Sequence, residues 1–225
     1  MGQKPSVRRR WIILPVLFLA AAASAQKNDW LIVPSLRVGP ITATTTRAEL
    51  DTLFGKENVH DGNFEGGDVP EAATIVLADD PSAGLAVTWD REHPSTVRIC
   101  FINPGGPCRW KTASGIRMGL QIRELEKING KSFQVASFGS EQRGTVVSWR
   151  NGLLERDPSA CAHLLVRLTP AFELDGRSPS KDEATVVKEL HGEKPIPSNL
   201  IPYLELNPIV SGLELEFSST GCTAK

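Results

Sequence analysis

Little in this sequence marks an enzyme or a nucleic-acid binder. Basic residues are in no surplus, with 25 Lys and Arg against 26 Asp and Glu, so the cationic face that a phosphate backbone demands is missing. There is no Gly-x-Ser-x-Gly elbow to expose a hydrolase nucleophile. Gly139-Ser140 and Ser114-Gly115 read as turns instead. Pro104-Gly105-Gly106-Pro107 lacks the Lys-Ser/Thr and the helix start of a phosphate loop. His60, His93, His163 and His191 stand alone, and no Cys-x-x-Cys occurs, so neither a closed metal site nor a cofactor motif is legible. Beyond the N-terminus no apolar run approaches the roughly 20 residues that span a bilayer.

The N-terminus itself has the three parts of an export signal, over residues 1–25. Lys4, Arg8, Arg9 and Arg10 form a basic region, and Trp11 to Ala23 is uncharged. Ala23-Ser24-Ala25 offers a small-x-small cleavage site. Arg8-Arg9-Arg10-Trp11-Ile12 partly resembles a twin-arginine signal, whereas the very apolar stretch after it suits the general secretory route. No Cys follows the cleavage site to carry a lipid. Cleavage after Ala25 leaves 21 basic residues against 26 acidic ones, a net charge of −5. A periplasmic or secreted location is expected, with no integral membrane segment after cleavage.

Cys100, Cys108, Cys161 and Cys222 all lie in the mature part. Four cysteines in an oxidising compartment read as two disulfides with three pairings open. Proximity favours Cys100–Cys108, which would close a loop through the Pro-Gly-Gly-Pro turn and contribute about 2.6 kcal/mol by loop-closure entropy. Cys161–Cys222 would then staple the C-terminal tail.

The chain also resembles itself. Ile41-(x)5-Arg47-Ala48-Glu49-Leu50-(x)4-Gly55-Lys56 returns as Ile116-(x)5-Ile122-Arg123-Glu124-Leu125-(x)4-Gly130-Lys131. Val87-Thr88-Trp89 returns as Val147-Ser148-Trp149, and Val97 to Phe101 has a counterpart in Leu164 to Leu168. Thr46 with Glu49 forms a capping box, in which each side chain serves the other residue's open amide. Leu50, Leu53 and Phe54 give that helix one apolar face, and Gly55 ends it. Ile122, Leu125 and Ile128 repeat the face, ended by Asn129-Gly130. Strands are predicted over 73–77, 85–89 and 97–102, then 133–138, 145–149 and 164–168. The fold class expected is α+β: two tandem units of short helix followed by antiparallel β-meander. The first repeat covers 26–110, the second 111–171, and a C-terminal extension over 172–225 completes the sheet. In that extension Ser180-Lys181-Asp182-Glu183 is a capping box, and Ser198 is expected to cap a short helix through Leu204. Leu213-Glu214-Leu215-Glu216-Phe217 alternates as a half-buried strand must.

The capped helix, the Leu-(x)4-Gly-Lys motif and the strand pair resemble the SmpA/OmlA-type fold of outer-membrane-assembly lipoproteins, which occurs in tandem in the β-lactamase-inhibitor-protein family. The resemblance spans about residues 36–170. Lys56-Glu57 and Lys131-Ser132 replace the Gly-x-Pro usual in the lipoproteins. The resemblance implies an architecture and binding of other proteins through the sheet.

Two candidate sites remain. Asp61, Asn63, Glu65 and Asp68 begin like a calcium loop, although position 12 is Ala72; the other reading is a polar insertion between helix and strand. Arg109 and Trp110, beside the expected disulfide loop, are of the type that anchors interfaces. Trp89 and Trp149 are expected in the core. The sequence therefore points to an exported, non-catalytic protein-interaction or binding module, with another exported or envelope protein as partner and no cofactor. A hydrolase or small-ligand-binding protein is the alternative.

Overall fold

The computed structural model describes residues 29–64, 70–155 and 162–218. The expected signal segment, Glu65 and Asp68, and the Cys161–Cys222 pair lie outside the described residues. Three short strands come first, β1 (Leu31–Val33), β2 (Arg37–Val38) and β3 (Ile41–Thr42). Helix α1 (Arg47–Phe54) leads into a meander of β4 (Val59–Phe64), β5 (Glu71–Val76), β6 (Leu85–Asp90) and β7 (His93–Ile99). Then come β8 (Lys111–Thr112), α2 (Ile122–Asn129), β9 (Gln134–Val135), β10 (Val146–Ser148) and β11 (Ala162–Thr169). The remaining elements are α3 (Ala171–Leu174), α4 (Lys181–Glu189), β12 (Ile196–Pro197), α5 (Ile201–Glu205) and β13 (Ile209–Phe217).

These elements make an α+β protein with mostly antiparallel sheets. The main sheet has six strands in the order β11-β13-β7-β6-β5-β4. A four-stranded sheet, β3-β2-β1-β8, contains one parallel pair, β1 with β8, and a three-stranded sheet runs β10-β9-β12. One face of the main sheet carries Val76, Leu85, Val87, Val97, Ile99, Leu213, Leu215 and Val166, all buried. These join Leu50 of α1 and Ile122 and Leu125 of α2 in a single core cluster.

The C-terminal strand is internal to the sheet. Leu213 and Leu215 of β13 stand opposite Ile99 and Val97 on one side. On the other side they stand opposite Val166 and Leu164. The Leu-Glu alternation has a direct cause here: a residue with strands on both flanks must send its leucines to the core and its glutamates to the other face. The ladder between β7 and β11 exists only through β13.

Local chemistry sets most helix ends. Thr46 Oγ1 accepts from the Glu49 amide at 3.3 Å, and Glu49 accepts the Thr46 amide at 2.7 Å. Ser180 and Glu183 do the same for α4. Gly130 ends α2 at φ 77°, ψ −3°, a left-handed conformation that costs an L-residue about 1–2 kcal/mol. Gly55 differs: at φ 86°, ψ 132° it passes into a 3₁₀ turn, Lys56–Asn58, instead of closing the helix in the left-handed region.

Several boundaries depart from expectation for identifiable reasons. Strand β7 stops at Ile99 because Cys100 turns at φ 50° into the disulfide loop. The predicted strand over 133–138 shrinks to Gln134–Val135. Its continuation bends into the turn in which Ser140 donates to the Ser137 carbonyl and Gly144 to that of Ala136. Helix α5 starts at Ile201 with Leu200 as its cap. Ser198 is not available for capping, because its hydroxyl accepts the Phe133 amide and donates to Glu126.

Candidate functional site

Opposite the core face, the same six strands present a polar face, and the register fixes its occupants. Arg98 of β7 stands beside Glu214 of β13 and Ala86 of β6. Glu214 in turn faces Leu165 of β11, and Glu216 faces His163. Phe64 and Glu71, paired at the end of the β4–β5 ladder, both reach Arg98. The Arg98 guanidinium lies 4.3 Å from the Phe64 ring centroid, Nη2 is 3.0 Å from Glu71, and Nε is 3.6 Å from Glu214. The ring of Phe64 meets Phe101 edge-on at 5.6 Å.

Arg98 is thus clamped by two carboxylates and an aromatic face, and its side chain is only 19% exposed. Its Nη1 is buried with no acceptor among the described residues. A buried donor left without a partner costs roughly 1–3 kcal/mol. Beside it opens a cleft of about 580 Å³, whose walls include Phe64, Phe101, Ile102, Arg98, Arg167 and Glu214. That volume lies within the range of small-ligand and anchor pockets.

Two further clefts exist. One of about 780 Å³ runs between β10 and β11 and contains Trp149, His163 and Glu216. His163 Nδ1 is buried there without a partner among the described residues. The other, about 540 Å³, lies at the start of α1 around Arg47, Asp61, Thr74 and Trp89. In it Trp89 Nε1 donates to Thr74 Oγ1 at 3.0 Å, Thr74 donates to Asp61 at 2.9 Å, and Arg47 Nε donates to Asp61 at 2.7 Å. Arg47 and then Thr74 hold the Asp61 carboxyl below its ordinary pKa. In this cleft the Thr74 hydroxyl therefore meets a carboxylate that Arg47 orients, but Thr74 is 2% exposed and already accepts from Trp89.

No family model matches this chain. Neither does any curated protein sequence or solved structure.

The sequence candidates fare unevenly. Cys100 and Cys108 are bonded, with Cα atoms 6.0 Å apart. Asp61 and Asn63 lie in strand β4, opposite Thr74 and Ala72. They do not open a loop, because Val59 buries against the core and starts a regular ladder with Val76. Asp61 spends its oxygens on Arg47 and Thr74. No group of three His, Cys, Asp or Glu among the described residues is placed to hold a metal ion.

Trp110 is fully buried and donates its indole N–H to the Ala83 carbonyl at 2.8 Å, so it has no surface with which to anchor a partner. Arg109 is exposed, pairs with Asp80 and lies over Trp30 at 5.0 Å. Trp89 and Trp149 are half-buried against the core cluster. The cleft residues Phe64, Arg98, Phe101 and Arg167 escaped the sequence reading. The alternation Val97-Arg98-Ile99 does place Arg98 on the non-core face, but nothing local names β13, which flanks it on the side away from β6.

Proposed function

We propose that this protein is an exported, non-catalytic binding module that meets another exported or envelope protein at the cleft on the polar face of its six-stranded sheet. The observation that carries the reading is the grouping of Arg98, Arg167, Phe64 and Phe101 about one cleft. Arginine and aromatic side chains supply most interface hot spots, because they combine large contact area with directed hydrogen bonds. Export is supported by the leader-like residues 1–25 and by the Cys100–Cys108 disulfide, since such bonds persist in oxidising compartments. No described helix is long and apolar enough to cross a membrane.

The reading includes a duplicated unit of SmpA/OmlA type. In its favour, α1 and α2 are both eight residues long and both carry a glutamate, Glu49 and Glu124, at the third helical position. Each of these accepts the amide of the residue before its helix. Against a simple copy, β9 and β10 sit in a sheet of their own.

The test is recovery of the protein from the exported fraction after mild crosslinking, with mass spectrometry of what comes with it. Wild type is expected to bring a partner that Arg98→Glu does not. Equal recovery by both proteins, or turnover of a substrate at this cleft, would sink the reading.

A further inference from the structure

We propose that the cleft beside Arg98 takes an apolar or aromatic side chain of the partner polypeptide together with that residue's own uncharged main-chain carbonyl. The proposal rests on the reading above and names the chemistry of its partner.

Strand β13 is built to admit a second guanidinium here. The ladder between β11 and β13 shifts register after Arg167, leaving Ser211 as the extra residue of a bulge. Bulges re-aim side chains and recur beside binding sites. Gly212 stands directly opposite Arg167, and a Cβ on Gly212 would come within 3.2 Å of Arg167 Cβ and 3.9 Å of its Cδ. The absence of a side chain at 212 therefore gives the Arg167 stem a path across β13 toward β7, where Arg98 sits. Arg167 has no ion-pair partner among the described residues, and it borders the same cleft as Arg98.

Charge decides the kind of acceptor. Among the described residues the cationic groups at the cleft are Arg98 and Arg167, and the carboxylates facing them are Glu214 in the wall and Glu71 on Arg98. These four charges cancel. An incoming carboxylate would add an uncompensated anion beside two others, whereas a peptide carbonyl accepts from a guanidinium without adding charge. The hydroxyls in the wall are already engaged, Thr169 with Ser211 at 2.6 Å. The open donor in the wall is the Arg167 fork; Arg98 Nη1 is buried beside it, with the Phe64 ring stacked on the same guanidinium.

The apolar half has its own wall. Phe101 and Phe64 meet edge-on, and Ile102 beside them is 42% exposed, one of few large aliphatic side chains left open among the described residues. An anchor ring would complete this wall, and about 580 Å³ accommodates a whole aromatic residue.

The test uses the full mature protein labelled with ¹⁵N. It is titrated with N-acetyl-phenylalaninamide, the smallest neutral mimic of such an anchor, and separately with N-acetyl-phenylalaninate. The amide is expected to shift signals of Arg98, Phe101 and Gly212, and to bind more tightly than the carboxylate. Gly212→Val, which fills the path of the Arg167 stem, should weaken binding about tenfold, the equivalent of one lost hydrogen bond to a charged group. Arg167→Gln, an exposed substitution that leaves the core untouched, should do the same, so a folding failure of the first variant does not end the test. No shifts at the cleft, a preference for the carboxylate, or unchanged affinity in Arg167→Gln would overturn the proposal. If the amide fails while partner recovery still depends on Arg98, the proposal falls and the binding reading stands. If partner recovery ignores Arg98, the reading itself falls.

Discussion

Removing one oxygen atom from the core should make this protein more stable. Tyr203 of α5 is 1% exposed, packs edge-on to Phe138 at 6.3 Å, and its hydroxyl has no hydrogen-bond partner among the described residues. A buried hydroxyl without a partner costs about 1–3 kcal/mol relative to water. Tyr203→Phe keeps the ring and removes that cost, so a gain of about 1–2 kcal/mol at neutral pH is expected, less the small loss of packing around the missing oxygen. For a chain of this size that corresponds to roughly 2–8 °C in Tm. Burial also pushes the Tyr203 phenol well above its ordinary value of 10.0. The unfolded chain therefore ionises first, and the wild type loses about 1.4 kcal/mol per pH unit from this residue above pH 10. Below pH 10 the phenol is neutral in both states and contributes no pH dependence. Paired urea titrations of wild type and Tyr203→Phe at pH 7 and at pH 10.5 to 11 measure both effects. The gap in favour of the variant should widen at alkaline pH. A variant at least 1 kcal/mol less stable at pH 7 would refute the reasoning, because it would mean the hydroxyl makes a favourable bond.

Other consequences of the fold can be checked as directly. Leu215→Ala, in the strand that joins β7 to β11, should cost about 2–5 kcal/mol in chemical denaturation, with loss mainly of main-sheet amide protection. Glu183 is held down at about 2 by Arg177 and then by the Ser180 amide. Its contribution is therefore present above the ordinary carboxylate range and is lost as pH falls toward 2; in Arg177→Gln an NMR acid titration should show the carboxyl titrating higher, with the part due to the Ser180 amide retained. Non-reducing peptide mapping should join Cys100 to Cys108. It should also join Cys161 to Cys222, because Ala162 stands opposite Phe217 and the chain from there to Cys222 is short.

What the sequence revealed tracks how local each determinant is. Capping boxes, the Gly130 stop and the alternation of 213–217 act within a few residues, and the structure reproduces them. The Cys100–Cys108 bond closes a loop short enough for proximity to select it. Trp110 shows the opposite case. Its neighbour Arg109 and the adjacent loop suggested a surface anchor, whereas packing against Trp30 and the Ala83 carbonyl, remote in sequence, puts it in the core. Asp61 looked like an ion ligand until β5 and Arg47 claimed it. The cleft depends on Phe64 and Arg98, which the β4–β7 meander sets on one face, and on Arg167, which reaches that face only because β13 inserts between β7 and β11. No single segment carries that information.

Placement of the partner is the central claim, and site-specific photocrosslinking in the exporting cell tests it most directly. A photoreactive residue at Phe101, on the cleft wall, should give a covalent adduct with one protein, while the same residue at Ile201, exposed on α5 and absent from the cleft wall, should give none. Adducts of equal yield at both positions, or at Ile201 alone, would contradict the account.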